Sequence, residues 1–407
     1  MRRIIALAAI SISIVLVTAC GGSGDNVNGV GGNTIATAGS NVAAVVVNAG
    51  PTVNGQSVGD VNLLFTSVTI CTPGSTTACQ TINNIQVDTQ SYGLRIIASA
   101  LSSAVTLPAE TNAANYPLAE CTQFADGYTW GSLHTVDLTI AQEKAAGIPI
   151  QVIGDPAYPS VPADCASTGA QEDTVETFGA NGILGIGPFD QDCGTCTTGT
   201  QTGHYYVCPT ASTCADATVL LAQEVSNPVY EFSTDNNGVI IELPVVPAGG
   251  SATVSGALVF GIDTQQNNVF QNATPLYADT NGDVTALYKS ASLADSLFDT
   301  GSNANFVPDT TIPTCSDNPF LCPSSTLTTT VTMEDPTGTV SALTLNIANA
   351  DTLFNGNPTF TAFSNLGSQN SDTTALVWGL PFFYGRNVYV AFDGRTNTVG
   401  TGPFYAY

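Results

Sequence analysis

Ser296-Leu297-Phe298-Asp299-Thr300-Gly301-Ser302 is the stretch on which the reading of this chain turns. An apolar strand ends in an acid, a β-branched hydroxyl, a glycine and a second hydroxyl. Ile85-Gln86-Val87-Asp88-Thr89-Gln90-Ser91 in the first half has nearly the same form. Each motif is followed much later by two apolar residues and a glycine: Ile183-Leu184-Gly185 after the first, Val377-Trp378-Gly379 after the second. One such motif alone reads as a turn in which the Asp side chain bonds its own backbone. Two copies in the same order, with comparable gaps, read as an internal repeat and predict two halves built on one plan.

The segments around the repeat carry strand signals. Runs rich in Val, Ile, Thr and Phe alternate with Gly, Pro, Asn and Asp, as in Val42–Asn48, Ile148–Ile153, Val239–Leu243 and Leu327–Met333. Helical periodicity is confined to Ala215–Val225 and Leu94–Leu101. The expected class is all-β with few short helices. The 407 residues suffice for two domains of ordinary size, expected over 42–231 and 232–407.

The first residues read as a targeting segment. Arg2 and Arg3 precede an uncharged apolar run from Ile4 to Val17, too short to span a bilayer, and then Val17-Thr18-Ala19-Cys20. Small residues before Cys20 resemble the lipobox of bacterial lipoprotein signals. That resemblance implies removal of residues 1–19, acylation of Cys20 and attachment to the bacterial cell envelope, at the outer membrane or the periplasmic face. Residues 20–41, rich in Gly, Ser, Asn and Thr, are expected to be a flexible tether. The net charge of −25 excludes nucleic acid as a partner, and 43% apolar residues predict a packed core rather than disorder. Eleven cysteines less Cys20 leave ten, and export makes disulfides the expectation. Cys71 with Cys79, Cys208 with Cys214 and Cys315 with Cys322 are the local pairs; Cys121, Cys165, Cys193 and Cys196 would supply two more. A zinc site from Cys193, Cys196, His204, Cys208 and Cys214 is the competing reading, with looser spacing.

Taken together, these motifs resemble the pepsin-like aspartic proteases from about residue 42 to the end. Phe298-Asp299-Thr300-Gly301-Ser302 matches that family's catalytic loop. Asn181–Gly187 and Val377–Phe383 resemble its two apolar-apolar-Gly segments, Leu258–Asp263 an early segment of its second lobe, and Asn387–Asp393 its closing strands. The lipobox with these features is also similar to a family of uncharacterised bacterial lipoproteins, a likeness that carries no activity. The protease resemblance implies two pseudo-symmetric β-barrel-like lobes with a central cleft. It makes Asp88 and Asp299 the catalytic pair, Thr89 and Thr300 anchors between the two loops, Ser91 and Ser302 orienting hydroxyls, and Gly301 the tight-turn residue. Cys121–Gly131 resembles the hairpin flap over the cleft. Phe124 lies near the family's usual Tyr, and Tyr128 and Trp130 are candidates to supply the missing polar group.

The chemistry is self-contained. Amide hydrolysis needs an activated water and an acid. Two carboxyls close together cannot both ionise easily, so they share a proton and can act as base and acid without metal or cofactor. Gln90 departs from the family, which has Gly there; a left-handed backbone would strain it, or its amide would crowd the carboxyls. The expected function is a lipid-anchored, monomeric endopeptidase acting on an extended peptide or protein substrate. The alternative is an impaired lobe pair that serves as a peptide- or protein-binding module. His134 and His204 stand in no nucleophile motif and are expected to be surface or hydrogen-bonded residues.

Overall fold

The computed structural model describes residues 33–407. In the first half the strands are β1 (Val42–Val47), β2 (Leu64–Cys71), β3 (Cys79–Asp88), β4 (Tyr92–Ile97), β5 (Leu118–Gln123), β6 (Gly127–Ile140), β7 (Glu143–Ile153) and β8 (Gly182–Ile186). Hydrogen-bonded neighbours run β6–β7–β4–β8–β3–β2, and β2 returns to β6 through Thr69–Thr139, Ile70–Leu138 and Cys71–Asp137. These strands therefore close into a barrel, which leaves no free edge among them. Val68, Ile85, Leu94, Val136, Ile150 and Leu184 fill it.

The second half supplies β9 (Gly238–Leu243), β10 (Val254–Phe260), β11 (Val284–Tyr288), β12 (Ala291–Phe298), β13 (Asn305–Val307), β14 (Leu327–Glu334), β15 (Val340–Ile347), β16 (Val377–Trp378), β17 (Arg386–Ala391) and β18 (Phe404–Ala406). One sheet runs β15–β14–β11–β12–β16–β13. Its outer strands β14 and β15 alternate buried and exposed residues along much of their length, the mark of a sheet with one face in water. A second layer joins the halves. β1 pairs antiparallel with β10 over six residues, from Val42–Val259 to Val47–Val254, and β9, β17 and β18 continue that sheet. One apolar core runs through both halves.

The repeat read in the sequence is visible in the pairing. β8 lies between β3, parallel to it, and β4, antiparallel to it, with Gly185 opposite both Asp88 and Gly93. β16 lies in the same way between β12, parallel, and β13, antiparallel. The shared form of the two apolar-apolar-Gly segments has a steric cause. A Cβ on Gly185 would collide with the Tyr92 nitrogen, and one on Gly379 with the Ala304 carbonyl. The molecule is thus all-β, with two pseudo-symmetric barrel-like lobes, a cleft between them, and four short α-helices among the described residues.

Two expectations need correction. Leu94–Leu101 is strand then a 3₁₀ turn, and Ala215–Val225 holds a strand end and a second 3₁₀ turn; barrel pairing of β4 overrides the helical period. Of the tether expected over 20–41, the described part from residue 33 is held against the fold. Asn33 Nδ2 donates to the Arg386 carbonyl at 2.8 Å, the Ala36 N–H donates to Glu242 Oε2 at 2.5 Å, and Ile35 packs on the shared sheet. The signal segment and Cys20 lie outside the described residues. The expected disulfides are present, and all ten described cysteines are paired, which leaves none for the competing zinc reading. The bridges are Cys71–Cys79, Cys121–Cys165, Cys193–Cys196, Cys208–Cys214 and Cys315–Cys322. No helix among the described residues is long and apolar enough to cross a membrane.

Candidate active site

Asp88 ends β3 and Asp299 follows β12, so the parallel partner strands β8 and β16 fix both loops from beneath. The Asp299 N–H donates to the Trp378 carbonyl at 2.9 Å. The loops are then bound to each other. Thr89 Oγ1 donates to the Phe298 carbonyl at 3.1 Å and accepts from the Thr300 N–H at 3.0 Å; Thr300 Oγ1 donates to the Val87 carbonyl at 2.7 Å. Both threonines are fully buried. Three bonds in a low-dielectric setting hold the two acids in one geometry although they are far apart along the chain.

Gly301 lies where the carboxyls meet. A Cβ there would stand 2.8 Å from Asp88 Cγ and 3.1 Å from Asp299 Oδ1, so any side chain would wedge the pair apart. Asp88 Oδ1 accepts from the Gln90 N–H at 2.8 Å and the Ser91 N–H at 3.3 Å. Asp299 Oδ1 accepts from the Gly301 N–H at 2.7 Å, and Asp299 Oδ2 from Ser302 Oγ at 2.6 Å. Burial, then repulsion by and a hydrogen bond with Asp88, holds the Asp299 carboxyl well above the usual carboxylate range; the Ser302 and Gly301 bonds oppose this without cancelling it. Two carboxyls this close favour one proton shared between them.

The two loops are not equivalent. Ser91 Oγ is buried and, among the described residues, makes no hydrogen bond, so only its backbone, not the hydroxyl, holds Asp88. Gln90 behaves unlike either expectation. Its backbone is not left-handed, and its amide is turned away from the carboxyls: Nε2 donates to the Phe298 carbonyl at 3.0 Å and to Tyr405 Oη at 2.7 Å. Tyr405 Oη in turn donates to the Gly282 carbonyl at 2.9 Å, and its ring packs on Phe298. Gln90 thus ties the first loop to the second half. Tyr405 was not visible as a site residue, since nothing near it in sequence refers to residue 90.

A cleft of about 480 Å³ opens above the pair, bounded by Phe124, Phe178, Ile183 and Phe306. Strands β5 and β6 form the expected hairpin, and Phe124 at its turn lines the cleft, its ring edge-on to Phe178 at 6.1 Å. Tyr128 and Trp130 do not reach the cleft. They are two apart on β6 and share one face, which is buried against Cys121, Cys165 and Tyr206; Trp130 Nε1 donates to the Tyr158 carbonyl at 2.8 Å. Neither supplies the polar group that Phe124 lacks. Asp60, Asp126, Glu172 and Glu176 also line the cleft and had no sequence signal. Burial, with Asp126 adding to it, pushes Glu172 up to about 7. His134 is hydrogen-bonded at 3.0 Å to Ser132 Oγ, which also bonds Asp155; Ser132 is buried, and the trio presents no nucleophile.

The aspartic proteinase of Irpex lacteus is similar to this chain in structure at 14% sequence identity, with a TM-score of 0.49, over 88% of this chain and 99% of the other. No match is found among curated proteins. A family model described as "Protein of unknown function (DUF3443)" matches residues 37–407, from just ahead of β1 through the last strand, and the chain belongs to that family.

Proposed function

We propose that this protein is an aspartic endopeptidase, anchored by lipid at Cys20 on the extracytoplasmic side of a bacterial envelope. One observation carries the reading: Asp88 and Asp299 face each other across Gly301, at the floor of an open cleft, on loops locked by Thr89 and Thr300. Asp299 holds the shared proton and Asp88 takes one from water as the water oxygen attacks the peptide carbonyl. The Asp299 proton goes to the carbonyl oxygen. As the resulting diol collapses, the C–N bond breaks, Asp88 gives its proton to the leaving amine and one diol hydroxyl gives its proton back to Asp299. An extended peptide can pair strand-like with the cleft rim. The five bridges favour an oxidising compartment.

The test is incubation of the full chain with an unstructured protein at acidic pH, followed by mass spectrometry. New termini that vanish on addition of a statine-type inhibitor support the proposal; an intact substrate contradicts it. The anchor is tested apart, by incorporation of labelled fatty acid that Cys20→Ala abolishes. The second reading, a peptide-binding module, is favoured by the unused Ser91 hydroxyl and by Phe124, whose ring offers no hydrogen bond. Binding of the peptide without cleavage would select it.

A further inference from the structure

Glu224 is fully buried, and neither of its carboxylate oxygens has a hydrogen-bond partner among the described residues. Burying a carboxyl in this way costs free energy and calls for a reason. The reason lies next to it. A Glu224 carboxylate oxygen and the Sγ atoms of Cys193 and Cys196 all lie within 4.8 Å of one another. The two cysteines sit among Leu118, Leu133, Val219 and Val225. Their bridge closes over two intervening residues, Gly194 and Thr195, both exposed. Cys193 keeps 8% of its surface in contact with water and Cys196 none, so Cys193 is the more accessible residue of the pair. The comparison within the molecule is Cys315–Cys322, which also has an acid beside it, Asp351. Asp351 is half-buried and already accepts from Asn318 at 3.0 Å. Only Glu224 is both sealed from water and free of other bonds.

We propose that Cys193–Cys196 is a redox-active disulfide that exchanges with a dithiol, and that Glu224 is the acid–base group for the Cys196 sulfur. A thiolate of the dithiol attacks Sγ of Cys193, the more accessible residue; the S–S bond breaks and its electron pair leaves on Cys196 Sγ. Glu224 gives its proton to that sulfur, which would otherwise be a buried thiolate in an apolar pocket. The second thiol of the reductant then attacks the mixed disulfide, and Cys193 leaves and is protonated from solvent. The dithiol is oxidised to its disulfide, the bridge is reduced to two thiols, and Glu224 recovers the proton that the dithiol released. Burial, with Asp190 and Glu120 adding to it, pushes Glu224 up to about 7, so near neutrality it both holds a proton and can part with it.

The experiment treats the folded full chain with limiting dithiothreitol, traps free thiols with iodoacetamide and locates the label by mass spectrometry. Cys193 and Cys196 are expected to be labelled before the other eight described cysteines, about tenfold faster than Cys208 and Cys214. E224Q, with its fold checked by circular dichroism, is expected to slow that labelling about tenfold at neutral pH and to flatten its pH dependence. Labelling of all bridges at one rate overturns the proposal without recourse to any variant. So does a folded E224Q with the native rate and pH profile. Cleavage of peptides at the Asp88–Asp299 cleft plays no part in either readout.

Discussion

Ser91 and Ser302 hold the same place in the two motifs and do different things. Ser302 Oγ donates to Asp299 at 2.6 Å, whereas Ser91 Oγ is unpaired. A hydrogen bond to a charged group is worth about 1.5–3 kcal/mol, so Ser302→Ala should lower peptide cleavage about tenfold or more, while Ser91→Ala changes it about twofold at most. Equal losses in a steady-state assay of the two variants would contradict this. Gln90 illustrates the limit of local reading. The missing glycine suggested a strained left-handed backbone or an amide crowding the carboxyls. The side chain instead makes two hydrogen bonds across to Phe298 and Tyr405. Gln90→Gly should therefore cost about 1–2 kcal/mol in urea unfolding, and an unchanged midpoint would count against the role given to it. Both aspartates and both threonines were legible because their meaning lies within five residues. Tyr405 was not, because its partner is at the far end of the chain.

Among the elements, the hairpin and the strand behind the first aspartate are joined by one buried cation. Arg95 on β4 bonds Glu120 on β5 at 2.5 Å, Asp192 at 2.8 Å and Thr122 at 2.7 Å, and is itself fully buried. Removing one partner of such a network strands charge in the interior, at a cost of about 3–5 kcal/mol. Arg95→Met should lower the unfolding free energy by that much, measured in denaturant; a loss of less than about 1 kcal/mol would show the network to be idle. Nothing in the sequence around Arg95 announced these partners. The hairpin itself was legible from its place and its glycines, but not the direction of its side chains. Period 2 puts Tyr128 and Trp130 on the same face, and pairing of Trp130 with Cys121 turns that face to the disulfide. Strand-to-strand register, unlike strand content, is set by partners that a local pattern does not name.

At the scale of the molecule, acidity and burial act together. The chain carries a net charge of −25, and several carboxyls are pushed up by burial and by neighbouring acids: Glu172 and Glu224 to about 7, Asp283 to about 6. A carboxyl raised on folding makes the folded state bind more protons than the unfolded one. Its contribution is fully present below the unfolded value, near 4, and is lost as pH rises through the folded value. Asp309 and Asp335 run the other way. Burial opposes ionisation, but bonds from Lys289, Thr311 and Tyr288 hold Asp309 below its ordinary value, and bonds from Thr337, Tyr277 and Thr339 hold Asp335 there; that stability is lost as pH falls through those lowered values. Thermal midpoints should thus rise as pH is taken from about 8 to 5 and fall below about 3. A midpoint that is highest at pH 8 would contradict the balance of raised over lowered groups. The two-lobed plan was legible at this scale because the repeat is carried by order and spacing. The shared sheet of β1, β10, β9, β17 and β18 was not, since it joins strands from both ends of the chain. The joint action of two acids across that plan is the central claim, and a double-mutant cycle tests it most directly. Cleavage rates are compared for the native chain, Asp88→Asn, Asp299→Asn and the two together. Residues that act as one unit predict that either single change removes as much rate as both. Losses that add, or a single variant that retains native cleavage, would mean that the two carboxyls do not work as a pair.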